Sequence, residues 1–346
     1  MNDFTSAVAS MFAVGRTLEF TVEDKRGPLS PDDAAAVRAL ARDAESNDGV
    51  APLSEQPLLS LETAEAPVRH VLARASSADH NRPTGQRGGR GPRGQRLPTL
   101  LAYAQVDLGG TSRAAAELVV HPLVRRRGIG LAVLSRAMHV AAARDRSLAL
   151  WAHGDLPAAR RLARSRNLAV VRELWRMERP LPAPGDLVAE GLAAGDAPDG
   201  YRTRTFVADQ DEPAWVRLNA RVFAEHPEQG RVTMADVRAR EAEDWFDADG
   251  FVLVERVSDG ELVGYCWTKV PPETPRTGEI YVLGVDASAR GTGLGAWLLR
   301  AGLEKLAGHG ATTVELYVDG DNEAAVAVYE RAGFKRAAAD VQLAVG

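Results

Sequence analysis

Two glycine-punctuated loops of this chain have the composition of a phosphate-binding cradle. The first, VRRRGIG, occupies residues 124–130, and the second, ARGTGLG, occupies residues 289–295. Glycines let backbone N–H groups converge on an anion without interference from Cβ atoms, and a helix that starts at the loop adds its partial positive charge. This combination suits a pyrophosphate, and we expect Arg290 to lie beside the bound anion.

Each loop can act in this way only between a strand and a helix. Before the second loop, EIYVLGV at 279–285 is predicted to be a strand. After it, Leu294, Trp297, Leu298 and Ala301 recur at the spacing of one helix face. Because the first loop has similar surroundings 165 positions earlier, from Arg125 to Arg290, we predict a tandem repeat of one α/β unit.

Length and composition bound the class of protein. A chain of 346 residues corresponds to about two domains. Its net charge of −5 disfavours a dedicated nucleic-acid-binding protein, since such domains usually carry a clustered basic excess. The single cysteine, Cys266, excludes a disulfide framework and favours a reducing compartment. The seven histidines show no ligand spacing, so we predict no metal.

The N-terminal residues lack the basic and apolar regions of a signal peptide, and no run of residues reaches the roughly 18 consecutive apolar positions of a membrane span. We therefore expect a cytoplasmic protein without a membrane partner.

The pattern of apolar residues divides the chain into two halves and a connection. In the first half it predicts a strand at 17–22, a helix from Pro31, an apolar run at 148–153 and a helix at 158–164. Residues 182–200 are rich in Pro and Gly and read as a linker, so the predicted domains are 1–181 and 201–346. In the second half, the pattern of apolar residues predicts these further elements: a helix near 211–224, strands at 250–255, 262–269 and 312–318, and a helix through Tyr329.

The Arg- and Gly-rich segment 76–99 is predicted to be a flexible loop inserted between two strands. Gly89, Gly91 and Gly94 have the spacing of a dinucleotide-binding fingerprint, but no apolar strand precedes them and Pro92 interrupts the pattern. The arginines resemble an RNA-binding tail, but no aromatic residues are interleaved with them.

The residues after the second loop carry a family resemblance. A strand, an Arg-x-x-Gly-x-Gly loop and a helix are followed by Asn322, by Tyr329 seven positions later, and by Gly333-Phe334. This arrangement resembles the GNAT acetyltransferase superfamily, and the loop at 124–130 extends the resemblance to the first half. Five further motifs resemble the mycothiol synthase family: DGVAP at 48–52 (with Glu55), LWAHG at 150–154, RELWRM at 172–177, HPEQG at 226–230 and WFDADG at 245–250.

The resemblance covers nearly the whole chain, apart from the 76–99 insertion and extra residues at the start. It implies two tandem GNAT domains, each a mixed α/β sheet. It also implies an N-acetyltransferase that moves acetyl from acetyl-CoA to the cysteinyl amine of Cys-GlcN-Ins, a small-molecule acceptor, to make mycothiol.

The resemblance also implies roles for individual residues. Glu279 would be the base that removes a proton from the amine, and Tyr329 would be the acid that assists departure of the CoA thiolate. The alternatives are a strand-edge carboxylate facing solvent for Glu279 and a packed core tyrosine for Tyr329. Cys266, between Tyr265 and Trp267, is predicted to be a buried small hydrophobe. The family's substrate contacts correspond here to Glu55, Glu228, Lys269, Glu279 and Tyr317.

Positions expected to hold acetyl-CoA occur in both halves. In the second half, backbone groups of one strand would pair with the pantetheine arm, the cradle would hold the pyrophosphate, and a third stretch would line the other side of the arm. These residues are Leu283, Gly284, Val285, Arg290, Gly291, Thr292, Gly293, Leu294, Gly295, Ala296, Asn322, Glu323, Ala324, Ala325, Val326 and Ala327. Their counterparts in the first half are Leu118, Val119, Val120, Arg126, Arg127, Gly128, Ile129, Gly130 and Leu131.

The two halves are expected to differ in chemistry. A constant offset of 165 residues places Ala114 where Glu279 stands, and neither Leu162 nor Arg164 can replace Tyr329. We therefore predict two acetyl-CoA sites in a monomer, of which only the second is catalytic.

Three other functions are compatible with parts of the pattern. A tandem GNAT enzyme could acetylate a different amine, such as an aminoglycoside or a peptide N-terminus. A non-catalytic acetyl-CoA sensor would resemble the first half alone. A nucleic-acid-binding module would rest only on the 76–99 loop, and its affinity would fall steeply with salt.

Overall fold

The structure is a computed structural model that describes residues 7–9, 18–64, 66–76, 98–110, 113–224, 226 and 229–345. Contacts divide the chain into two units. The first unit comprises Met1–Glu173 together with Ala339–Gly346, and the second comprises Leu174–Ala338.

The first unit is a mostly antiparallel sheet with four helices in the connections between and after its strands. Its own strands are β1 (Ala7–Ala9), β2 (Phe20–Arg26), β3 (Val68–Ala75), β4 (Leu100–Asp107), β5 (Arg113–Val120) and β6 (Ser147–Ala152), and its helices are α1 (Pro31–Asp48), α2 (Glu55–Leu59), α3 (Ile129–Ala142) and α4 (Pro157–Arg164). The strands neighbour one another in chain order. The pair of β5 and β6 is parallel because α3 crosses between them.

Helix α1 shows why the sequence folds this way locally. Ser30 is its N-cap and accepts a hydrogen bond from Asp33 N, Pro31 occupies the first turn, and Gly49 ends the helix at φ 72°. Its buried residues include Val37 and Leu40, which pack on β3, β4 and β5.

The second unit repeats this arrangement. Its strands are β7 (Ala169–Pro180), of which residues 174–180 belong to this unit, β8 (Tyr201–Thr205), β9 (Phe251–Arg256), β10 (Leu262–Lys269), β11 (Thr277–Val285) and β12 (Thr313–Asp319). Its helices are α5 (Glu212–Val222), α6 (Met234–Glu241), α7 (Leu294–Gly308) and α8 (Glu323–Arg331). The strand order is β7-β12-β11-β10-β9-β8, with β11 and β12 parallel. The remaining strand, β13 (Lys335–Ala344), ends the described chain.

The final strand of each repeat completes the sheet of the other unit. Residues 174–180 of β7 pair with β12, and residues 341–344 of β13 pair with β6. The units therefore differ from the predicted division into 1–181 and 201–346, because strand pairing, rather than the order of the repeats, decides which unit a terminal strand joins.

The predicted linker at 182–200 is folded against the second unit. Leu187 and Leu192 are buried in its core. Ala194 N donates to Glu304 Oε1 at 2.7 Å, and Trp297 Nε1 donates to Gly195 O at 3.2 Å. Its Pro and Gly content reflects turns around α7 rather than a free connection.

Most other predicted elements are confirmed. The strands at 251–256, 262–269 and 313–319 and the helices at 31–48, 212–222 and 323–331 lie where the periodicity places them. The first predicted strand is found three residues later, at Phe20–Arg26, and β5 is the strand expected before the first loop. Strands β3 and β4 bracket the 76–99 insertion, of which 77–97 lie outside the described residues. None of the helices in the described ranges is long and apolar enough to cross a membrane.

Candidate active site

Strands β11 and β12 separate part-way along their length. Their parallel register runs from Thr277 opposite Thr313 to Ile280 opposite Leu316. β11 then continues to Val285 while pairing with β10 on its other edge, where Val285 lies opposite Gly264. The predicted cofactor residues Leu283, Gly284 and Val285 thus form a stretch of β11 whose edge toward β12 is open to an added strand.

The glycine loop after β11 leads directly into α7. Gly291 and Gly293 have φ values of 79° and 82°, and Gly293 is the N-cap of the helix. The first N–H of the helix to bond a backbone acceptor is that of Trp297, which donates to Gly293 O. The preceding N–H groups therefore lie at the positive end of the helix with no intrahelical partner, as an anion site requires.

Arg290 stands at the entrance of this loop. Its side chain is exposed and makes no ion pair with any residue in the ranges given above. The predicted residues 290–296 thus lie together at the start of α7. The other predicted stretch, Asn322–Ala327, forms the start of α8, where Asn322 Oδ1 accepts a hydrogen bond from Ala325 N at 3.2 Å.

Glu279 lies in a charged row across three strands. It is the register partner of Lys269 on β10 and of Glu315 on β12. The Lys269 ammonium lies over two aromatic rings, 4.5 Å from the centroid of Trp245 and 5.2 Å from that of Tyr281. Such contacts fix a long, flexible cation in one direction.

Tyr317 lies on the same face as this row, two residues beyond Glu315 on β12, and 44% of it is exposed. Arg176 of β7 donates to Glu315 Oε2 at 2.7 Å. The structure thus brings the predicted substrate residues Lys269, Glu279 and Tyr317 onto one face of the second unit. Glu55 lies in the first unit at the start of α2, and Glu228 falls outside the described residues.

Glu279 and Tyr329 belong to opposite faces of the sheet of the second unit. Ile280 packs against Gly302 of α7, so the adjacent Glu279 points to the other face. Tyr329 belongs to the core cluster on the α7 face, together with Ile280 and Cys266.

Burial shapes the chemistry of the two groups on the α7 face. Only 9% of Tyr329 is exposed, and burial raises the pKa of its hydroxyl above the ordinary value for tyrosine, which stabilises the neutral phenol. Its ring centroid lies 6.0 Å from that of Phe334. Cys266 is fully buried among apolar residues, so the prediction of a buried small hydrophobe is confirmed, and burial raises the pKa of its thiol to about 12.

A β-bulge at Tyr281 distinguishes β11 from its counterpart in the first unit, β5. The register of β10 and β11 jumps from Trp267 opposite Val282 to Thr268 opposite Ile280, which leaves Tyr281 as the extra residue. Its hydroxyl accepts a hydrogen bond from Arg240 Nε at 2.6 Å. In the first unit, β4 and β5 pair without this shift.

The bulge corrects the predicted equivalence between the halves. Ala115 lies opposite Ala149 of β6, as Glu279 lies opposite Glu315 of β12. The counterpart of Glu279 is therefore Ala115, not Ala114, since a constant offset ignores the inserted residue. Both are alanines, so the first unit still lacks a carboxylate at this position.

The first unit retains the loop but uses its arginine differently. Gly128 is the N-cap of α3 at φ 79°, while Arg126 takes the left-handed conformation at φ 65° where the second unit has Gly291. Arg125, the counterpart of Arg290, binds Asp48 with both terminal nitrogens at 2.7 and 2.6 Å and donates to Val120 O. The predicted residues Leu118–Val120 and Arg126–Leu131 occupy the same places in this unit as 283–285 and 291–296 in the other.

Sequence reasoning missed the residues around the bulge, namely Arg240, Trp245 and Tyr281. The spacing of the motifs did not reveal the bulge. The loops are offset by 165 residues, whereas Trp151-x-His153-Gly154 and Tyr317-x-Asp319-Gly320 are offset by 166, but this change falls after the glycine loop and Tyr281 lies before it.

Comparisons with known proteins agree with this geometry. Residues 215–334 match the acetyltransferase (GNAT) family. A mycothiol acetyltransferase of Sanguibacter keddieii is 49% identical over 327 residues, covering 93% of this chain and 96% of the relative. A mycothiol acetyltransferase of Cellulomonas flavigena is 49% identical over 325 residues, covering 91% and 86%.

Solved structures share the fold. A tandem GNAT protein from the clavulanic acid biosynthesis pathway superposes with a TM-score of 0.64 at 20% identity, covering 94% of this chain and 99% of its own. A GCN5-related N-acetyltransferase from Sphaerobacter thermophilus gives 0.61 at 23% identity, covering 93% and 95%. The predicted tandem GNAT fold is confirmed.

Proposed function

Because this chain belongs to the mycothiol acetyltransferase family, we propose that it transfers acetyl from acetyl-CoA to the cysteinyl amine of Cys-GlcN-Ins, forming mycothiol and CoA. It is a tandem GNAT enzyme and an acyl-CoA-dependent N-acetyltransferase. The observation that carries the choice of reaction is the separation of β11 and β12 with Glu279 on one face and Tyr329 on the other.

The second unit offers the cofactor two places. The open edge of β11 at Leu283–Val285 can pair with the amides of the pantetheine arm. The N–H groups before Trp297, together with Arg290, suit the pyrophosphate. Acetyl-CoA supplies an acetyl group activated as a thioester.

We assign the two proton transfers to Glu279 and Tyr329. An unperturbed amino group has a pKa of about 7.7–8.0, so much of the acceptor amine is protonated near neutral pH and needs a base. Glu279 can take this proton directly or through water, and the Tyr329 hydroxyl can supply one to the departing sulfur.

Acceptor recognition is assigned to Glu55, Glu228, Lys269, Glu279 and Tyr317. Carboxylates accept hydrogen bonds from hydroxyls and from an ammonium, and Lys269 donates to hydroxyl oxygens. The aromatic rings of Trp245 and Tyr281 support this role for Lys269, because they hold its ammonium on the face that Glu279 shares.

The first unit is proposed to bind acetyl-CoA without catalysing transfer. Its loop and helix start are retained, whereas Ala115 replaces the base and the bulge is missing. We further propose that the protein acts as a cytoplasmic monomer.

Incubation of the purified protein with Cys-GlcN-Ins and acetyl-CoA tests the assignment. The expected product is heavier by one acetyl group, located on the cysteinyl amine by fragmentation in mass spectrometry. An aminoglycoside and a peptide with a free N-terminus serve as competing acceptors. Acetylation of either competitor, with Cys-GlcN-Ins left unmodified, would reject this substrate and retain the acetyltransferase.

A further inference from the structure

Two buried polar side chains occupy apolar positions of the repeat in the first unit. Gln105 on β4 and Glu117 on β5 are register partners and are 4% and 7% exposed. The partners at these positions in the second unit are Trp267 and Val282. Burying an amide and a carboxylate costs free energy unless both have hydrogen-bonding partners, so the partners of these two side chains show what they stabilise.

Both side chains hold helix α2. Glu117 accepts hydrogen bonds from Ser54 N and Ser54 Oγ, each at 2.6 Å, and Ser54 is the N-cap of the helix. Gln105 Nε2 donates to Pro57 O at 2.9 Å. A helix of five residues is unstable by itself, so these three hydrogen bonds fix the place where it begins.

Glu117 has a buried counter-cation. His153 Nε2 lies 3.3 Å from Glu117 Oε2, and His153 Nδ1 lies 2.8 Å from Asp340 Oδ2 on the part of β13 that belongs to this unit. Gly154 N also donates to Asp340, at 2.7 Å. Burial by itself would lower the pKa of His153, but the charges of Glu117 and Asp340 outweigh it and raise the pKa to about 10.

Glu55 is the first residue of α2 and directly follows Ser54. The hydrogen bond to Ser54 N therefore constrains the Leu53–Ser54 peptide, one peptide plane before the plane that contains Glu55 N. The positions that hold Trp267 and Val282 in the second unit thus hold, in the first unit, the side chains that anchor α2 beside the proposed substrate contact Glu55.

We propose that Glu117, with His153 as its counter-cation, is a positioning residue for acceptor recognition: it fixes Ser54 and thereby directs Glu55 toward the acceptor. This inference rests on the proposed function, in which Glu55 contacts Cys-GlcN-Ins. It assigns to the first unit a part in substrate selection that is independent of its acetyl-CoA loop.

Steady-state kinetics on the full-length protein, with each substrate varied in turn, test the proposal. Glu117→Gln should raise the KM for Cys-GlcN-Ins roughly tenfold, since hydrogen bonds to a charged group contribute about 1.5–3 kcal/mol. The KM for acetyl-CoA and kcat should stay within about twofold, because Glu117 touches neither the cradle nor the proton-transfer groups.

A double-mutant cycle separates positioning through Glu55 from a general loss of structure. If Glu117 acts through Glu55, then Glu117→Gln should have no further effect on acceptor KM in a Glu55→Gln background. Equal effects in both backgrounds, or an unchanged acceptor KM for Glu117→Gln alone, would overturn the proposal. Absence of any effect of Glu55→Gln would overturn it as well, whereas failure of the wild-type protein to acetylate Cys-GlcN-Ins would overturn the proposed function itself.

Two further variants keep the test informative if Glu117→Gln folds poorly. Ser54→Ala removes the hydrogen bond from Ser54 Oγ, leaves the ion pair of Glu117 and His153 intact and should still raise the KM for the acceptor. Ser54→Thr retains the hydroxyl, so its KM for the acceptor should be close to that of the wild-type protein. Asp24→Asn is the matched control, since Asp24 is a buried carboxylate of the same unit that pairs with Arg69 and Arg136. It should lower stability without changing acceptor KM.

Discussion

Glu279 and Glu315 are register partners one pair before β11 and β12 separate. Arg176 binds Glu315, so the second carboxylate of the pair has its own counter-charge. The partner of Glu279 on the other edge is Lys269. The proposed base therefore lies in the last part of β11 that pairs with β12, where two neighbouring strands fix its backbone position.

Replacing this base should give a pH-dependent defect. Glu279→Gln retains shape and hydrogen bonding but removes the base, so turnover should fall by about 10² to 10⁴-fold. The deficit should be largest where the acceptor amine is protonated and should shrink as pH rises past about 8. Measurement of kcat/KM across pH checks this, and wild-type turnover at about pH 6.5 would move the base to another residue or to water.

The acid should behave differently. Tyr329→Phe keeps the ring that packs near Phe334 but removes the proton donor, so acetyl transfer should slow with little change in acetyl-CoA affinity. Alkaline pH should not rescue this variant, because removing protons cannot replace an acid. A Phe variant whose deficit disappears with rising pH would contradict the assignment.

The two loops offer a matched pair of substitutions. Gly293 and Gly128 are both N-caps with positive φ, at 82° and 79°, so alanine strains each by about 1 kcal/mol. Gly293→Ala should raise the KM for acetyl-CoA and depress turnover, whereas Gly128→Ala should weaken a second binding event and leave turnover intact. Calorimetry with acetyl-CoA should count two sites in the wild-type protein. A single site located in the first unit would contradict the proposed division of roles.

The carboxyl group of Glu241, the last residue of α6, should make the free energy of unfolding decrease as pH rises. Burial and the nearby charge of Glu212 raise the pKa of Glu241 to about 7, so the folded state retains a proton that the unfolded chain has lost. Stability should therefore decrease from about pH 4.5 to 7, and Glu241→Gln should remove this loss.

The measurement for this prediction is the free energy of unfolding by urea at several pH values. At about pH 8 the Glu241→Gln variant should be more stable by roughly 1 kcal/mol, a figure reduced for partial solvent exposure. Glu243→Gln, which removes one negative charge nearby, is the control. A gain for Glu241→Gln that is the same at low and high pH would contradict the role of its protonation.

Local signals in the sequence predicted the loop, the motif strand and the helices beside them. The strand at 279–285, the glycines at 291 and 293 and the start of α7 depend on backbone freedom and periodicity, which neighbouring residues determine. Those signals also nominated Glu279 and Tyr329 through the family resemblance, and their roles stay predictions.

Local sequence patterns could not predict contacts between residues that are far apart in the chain. The bulge at Tyr281 is defined only by the register of two strands, and the burial of Leu187 and Leu192 depends on a core formed elsewhere in the chain. The contact between Glu117 and Ser54 joins residues 63 positions apart. Such contacts leave no periodic trace in the residues that make them.

The pairing of residues 341–344 with β6 has a consequence for biosynthesis. A ribosome releases the first unit's own strands long before it reaches these residues, so β6 remains an exposed edge during translation. The unit that is synthesised first is thus the last to complete its sheet. A nascent chain arrested within the second repeat would carry an unpaired strand edge, and premature termination near the C-terminus would damage the N-terminal unit rather than the repeat in which the stop occurs.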